Sequence, residues 1–119
     1  MDKQQVFDKV MELANGIKER QELMHKNNDD LEEMESLIKD RTFEMTAEIA
    51  EKEGPDGKKL YSNETKRQVA FKEMCEKDAD FNTMKLNIKE LRKTNLKLSL
   101  ETELMRNTIR AYDISSRCM

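Results

Sequence analysis

The sequence predicts an all-α protein: two long helices folded back on each other as an antiparallel coiled-coil hairpin, which pairs with a second copy into a four-helix assembly. Three observations carry this reading. The only concentrated helix-breaking signal, Gly54-Pro55-Asp56-Gly57, sits almost at the midpoint and holds the sole proline and two of the three glycines. Proline lacks an amide hydrogen, and glycine opens backbone angles that other residues avoid. On each side of it, apolar residues recur in an unbroken 4-3 spacing, the mark of a helix that packs along a seam. The composition fits: 39% charged and 36% hydrophobic residues without tryptophan leave little for a large core, but a coiled coil needs only a narrow stripe. Disorder is the competing reading of such polarity, and the regular spacing argues against it. The expected organisation is one domain over residues 1–119, with helix 3–52, turn 53–62 and helix 63–114.

In the first arm the series runs Val6, Val10, Leu13, Ile17, Arg20, Met24, Asn27, Leu31, Met34, Ile38, Arg41 and Met45. Leu23 and Leu37 flank and widen it, which suits a bundle of more than two helices. Arg20, Asn27 and Arg41 interrupt the seam, as residues that fix register or reach out to solvent do. Toward the break the arm is acidic: residues 29–56 hold 11 acidic and 3 basic side chains. Asp29, Asp30, Glu32, Glu33 and Glu35 are the densest part. Such a run reads either as a solvated face or as a surface that docks on a basic site of a partner.

After the break, Ser62 or Asn63 suits an N-cap, and Glu64 places negative charge in the first turn, where the helix dipole favours it. The second series runs Ala70, Met74, Lys77, Phe81, Met84, Ile88, Leu91, Asn95, Leu98, Thr102, Met105, Ile109 and Tyr112. If paired residue numbers add to 115, Leu31 meets Met84, Met24 meets Leu91, and Arg20 shares a layer with Asn95. A second apolar set, Leu86, Leu96, Leu100 and Leu104, lies off this seam. Contiguous exposed apolar surface marks an interface, and homodimerisation is the expected use. Lys85, Lys89, Arg92, Lys93 and Lys97 form a basic stretch that could track phosphates, but no aromatic platform accompanies it for stacking bases. Nucleic acid is therefore the less favoured partner.

No residue pattern points to catalysis. His25 is the only histidine, and no calcium loop or zinc spacing is present. On one helix Cys75 and Cys118 would stand about 64 Å apart at 1.5 Å per residue. A disulfide needs Cα atoms within about 7 Å, so two reduced thiols are expected. The reading is a non-enzyme without cofactor or metal. With no apolar run of spanning length and no basic-then-apolar leader at Met1–Gln5, its expected place is the cytoplasm, away from membranes.

The segment Gly57-Lys58-Lys59-Leu60-Tyr61-Ser62-Asn63-Glu64-Thr65-Lys66-Arg67 resembles the tip of small, mostly uncharacterised helical-hairpin proteins of bacteriophages and prophages. The resemblance covers about a tenth of the chain. It implies a phage origin, hence the cytoplasm of a host cell, and carries over no functional residue. By analogy with small phage proteins, the expected activity is binding that occludes or scaffolds a host or phage protein, such as a host enzyme or a defence complex. Asp29–Glu35 and the tip residues Lys58, Lys59 and Tyr61 are the candidate contacts. The alternative is an accessory factor in phage DNA replication or recombination that uses the Lys85–Lys97 stretch.

Overall fold

A computed structural model describes residues 1–118. It is all-helical, with α1 at Lys3–Glu51, α2 at Glu64–Lys77 and α3 at Ala79–Arg117. The described residues contain no strand, only an isolated bridge between Glu53 and Lys59. No helix among them is long and apolar enough to cross a membrane.

Each helix begins where a side chain can accept from free amides. Asp2 accepts from the Gln5 amide at 2.8 Å, and Gln5 accepts in return from the Asp2 amide at 2.9 Å. This reciprocal pair satisfies two of the donors a helix start leaves open. Asn63 caps α2 by accepting from the Lys66 amide at 2.9 Å. Asp78 does the same for α3, accepting from the Phe81 amide at 2.9 Å. The reading of residues 63–114 as one helix is corrected here: the chain leaves helical geometry at Asp78 (φ -87°, ψ 97°). An aspartate competes for the backbone in this way wherever its side chain can close a cap.

The break after α1 is an ordered turn. The Gly57 amide donates to the Gly54 carbonyl at 3.0 Å, and the Gly54 amide to that of Lys58 at 2.8 Å. The Leu60 amide reaches back to the Lys52 carbonyl at 2.9 Å. Gly57 sits at φ 75°, a left-handed conformation that glycine adopts without a steric penalty.

The described residues group into two compact units. Unit 1 joins Met1–Asp30 with the chain from Leu91 onward; unit 2 is Leu31–Glu90. In unit 1 the two segments run in opposite directions. Gly16 lies against Met105, Arg20 bonds Glu101 at 3.0 Å, and Asn27 bonds Asn95 at 2.9 Å. Paired numbers thus add to 121 for the first two contacts and 122 for the third, not 115. Asn95 shares its layer with Asn27, seven residues beyond the expected Arg20. The physical reason is that a heptad stripe matches itself again after seven residues, so apolar spacing alone permits either register. Asn27 is buried and its amide needs a partner; Asn95 supplies one, and Asn95 also donates to Asn28 at 2.9 Å. Arg20 needs only a carboxylate at the edge and finds Glu101.

Unit 2 packs three helical segments. Met45, Ile49, Phe81, Ala70, Leu31 and Ile88 are its buried apolar residues, with Met45 fully closed from solvent. Every position of the first heptad series is buried or half-buried, and so is every position of the second except Lys77. Leu23 and Leu37 do not widen the buried stripe; they stay 43% and 48% exposed.

Candidate functional site

Three kinds of surface could carry function: a depression in unit 2, the turn with the charged runs, and an apolar ridge on α3.

The depression, of about 530 Å³, is lined by Arg41, Tyr61, Met74, Lys77 and Asp78 among others. Two of its charged groups, Arg41 and Asp78, satisfy each other. Asp78 uses one carboxylate oxygen on the Phe81 amide and the other on Arg41 Nε at 3.0 Å. Arg41 also reaches Glu44 at 3.3 Å. The Phe81 amide, and then the Arg41 guanidinium, hold the Asp78 carboxyl below its ordinary range, while Asp78 raises Arg41. An aspartate so committed is a structural anion, not a proton acceptor awaiting substrate. Cys75 Sγ lies 3.9 Å from Met45 Sδ, and burial pushes its thiol up, away from the thiolate a nucleophile needs. Cys75 and Cys118 are both free thiols. Among the described residues no three His, Cys, Asp or Glu side chains gather as metal ligands would.

In the heptad spacing, residue 78 is one more helical position. Asp78 followed by acidic Asp80 and apolar Phe81 was the available signal, the pattern of a capped helix start. The exposed aromatic Phe43, 76% accessible on α1 in unit 2, falls off the heptad series, and periodicity gives no signal for it.

The acidic residues lie where a partner could reach them. Asp29 and Asp30 in unit 1, and Glu32, Glu33 and Glu35 in unit 2, are all exposed on α1. In the turn, Lys58 and Lys59 are exposed, whereas Tyr61 is half-buried and its carbonyl accepts from Arg67 at 3.4 Å. The basic residues divide between the units: Lys85 and Lys89 in unit 2, Arg92, Lys93 and Lys97 in unit 1. All five are exposed, but Lys85 Nζ sits 5.1 Å from the centroid of the Phe81 ring, and neither Arg92 nor Lys93 is without a partner.

The off-seam leucines are the most distinctive surface. Leu86, in unit 2, is 57% exposed. In unit 1, Leu96, Leu100 and Leu104 are 63%, 57% and 67% exposed. At 3.6 residues per turn these three fall within an arc of about 80°. Thr102, 1% exposed and bonded to the Leu98 carbonyl at 2.8 Å, points about 160° away from the arc's centre. The buried seam and the ridge therefore occupy opposite sides of α3 in unit 1. No protein-family model matches the chain, and no curated protein or solved structure is similar enough to count as a match.

Proposed function

We propose that the protein is a non-enzymatic protein-binding module of phage origin, built as an antiparallel helical hairpin, that occludes or scaffolds a host or phage protein. The observation that carries this reading is the ridge of Leu96, Leu100 and Leu104, exposed on the side of α3 away from buried Thr102. Contiguous apolar surface of this kind is what protein interfaces are made from. The ridge pairs two copies of the chain. The exposed acids Asp29, Asp30, Glu32, Glu33 and Glu35, with Lys58, Lys59 and Tyr61 of the turn, then contact the target. A basic site on the target suits the acidic run, because opposite charges steer encounter and fix orientation.

The test is affinity capture from bacterial extract with the full chain as bait. A retained protein that is lost when Asp29, Asp30, Glu32 and Glu33 are changed to lysine, or when Lys58 and Tyr61 are changed to alanine, supports the reading. Retention of nothing above a helical control protein, or equal retention by all these variants, defeats it.

A further inference from the structure

We infer that the α3 ridge of unit 1 receives a second copy of the same ridge in antiparallel order, on a two-fold axis that passes at Leu100. The inference rests on the protein-binding reading above and adds an orientation and a register. Three features of the ridge carry it.

The first is its symmetry. Leu96 and Leu104 stand four residues to either side of Leu100 and about 40° to either side of it around the helix. A closed dimer uses the same patch on both copies, so the patch must be complementary to itself. With the second copy reversed, Leu100 meets Leu100, and Leu96 of each copy interleaves with Leu104 of the other.

The second feature is charge. Residues 92–97 include Arg92, Lys93 and Lys97 and no acid, whereas residues 101–104 include Glu101 and Glu103 and no base. Parallel order would lay the basic stretch of one copy beside the same stretch of the other. Reversal brings Lys97 of each copy to within two residues, about 3 Å along the axis, of Glu101 on the other, along the same edge of the interface. Like charges brought together select against the wrong arrangement, and opposite ones favour the right one.

The third feature is that the seam leaves the ridge uncovered. Arg20 and Asn27 of α1 meet α3 at Glu101 and Asn95, and the three leucines remain more than half exposed. Among the described residues of unit 1 no segment covers them.

The experiment uses the full chain with Cys75 and Cys118 changed to alanine. Sedimentation at tens of micromolar should give twice the chain mass, and Leu100→Lys should return it to the single-chain mass with unchanged helical circular dichroism. Leu100→Gln serves as the milder variant. Under a short thiol-reactive cross-linker, Leu100→Cys should form a covalent dimer. Leu96→Cys alone and Leu104→Cys alone should not, yet their mixture should. Efficient dimers from all three single variants would mean parallel order and overturn the inference. A dimer indifferent to Leu100→Lys also overturns it, while self-association by another face would stand. A monomeric parent chain overturns it too, and the protein-binding reading is then judged separately by target capture.

Discussion

In unit 2, Met45, Ile49 and Phe81 show at most 3% of their surface to solvent; among the described residues of unit 1 the only buried apolar side chain is Val6, at 7%, and the other two buried residues, Asn27 and Thr102, are polar. Both units are built from the same heptad series, so the sequence pattern does not explain the contrast. The number of packed segments does. Two facing helices cover each other along one stripe, and a residue on that stripe keeps an edge in water. The third segment in unit 2 closes that edge. Unit 1 is held instead by a stripe of half-buried residues and by hydrogen bonds that name their partners. Asn27 bonds Asn95, Arg20 bonds Glu101, and Thr102 satisfies its hydroxyl within its own helix. Apolar burial stabilises without specifying, and paired polar groups specify at some cost in stability. The unit with the thinner interior is also the one that leaves Leu96, Leu100 and Leu104 open.

The largest test of this contrast is a matched pair of methionines. Met45→Ala in unit 2 removes a fully closed side chain, and such truncations cost about 2–5 kcal/mol. Met24→Ala in unit 1 removes a half-buried one, so roughly half that loss is expected, since the transfer contribution scales with area. Urea denaturation of both variants reads the difference directly. Equal losses would mean that unit 1 is as tightly packed as unit 2.

The polar layer comes next. Asn27→Leu leaves the Asn95 amide facing an apolar group, and an unsatisfied buried polar group costs about 1–3 kcal/mol. Asn95 retains Asn28, which places the expected loss at the lower end. Changing both Asn27 and Asn95 to leucine should recover the stability but remove what distinguishes one heptad register from the next. In a background without Cys75 and Cys118, the pair Ile17→Cys and Met105→Cys should cross-link in the native register. Ile17→Cys with Leu98→Cys should do so only after a slip of seven residues. Slippage in the double-leucine chain sharpens the claim that asparagines set the register; its absence assigns that role to Arg20 and Glu101.

These two tests also mark how far the sequence could be read. Period and face are local, so which side of each arm turns inward was legible from Val6 through Tyr112, and Lys77 alone departs from it. The exposure of the leucine ridge followed from the same count. Register was not legible, because both registers bury equivalent apolar residues and the polar pairs, Asn27 with Asn95 and Arg20 with Glu101, separate them. The interruption at Asp78 was hidden for a related reason. The spacing Met74, Lys77, Phe81 passes through it without a slip, so periodicity carries no trace of a cap that reorients the backbone.

Glycines give the next smaller effect, with opposite signs in the two units. Gly57→Ala must hold φ at 75°, which costs an ordinary residue about 1–2 kcal/mol, and no atom lies near enough to add a clash. Gly16→Ala lies mid-helix, where alanine gains about 0.5–1 kcal/mol over glycine. Its new methyl group would meet Met105 Cε at 2.9 Å, the far end of a flexible side chain that can turn aside. Denaturation midpoints should therefore fall for Gly57→Ala and hold or rise for Gly16→Ala. A large loss at Gly16 would show that Met105 has no room to move and that unit 1 is more rigid than its exposure suggests.

The smallest expected effect isolates the charge at Asp78 from its cap. Asparagine caps a helix about as well as aspartate, so Asp78→Asn keeps the bond from the Phe81 amide and loses only the ionic part of the contact to Arg41. Arg41 is partly exposed and the pair is screened, so the loss should be small and should shrink further in high salt. Its pH dependence has a definite sign. The folded protein holds the Asp78 carboxyl below its ordinary value of 3.8, so the native state binds that proton less tightly than the unfolded chain does. The stabilisation is complete above that ordinary value and disappears as pH falls through the depressed one. Parent and Asp78→Asn curves of stability against pH should run parallel from neutral to mildly acidic conditions and converge below about 4. A constant gap down to the lowest pH would mean that the asparagine had disturbed the cap itself, and that α2 and α3 are divided by the hydrogen bond to Phe81 without help from the charge.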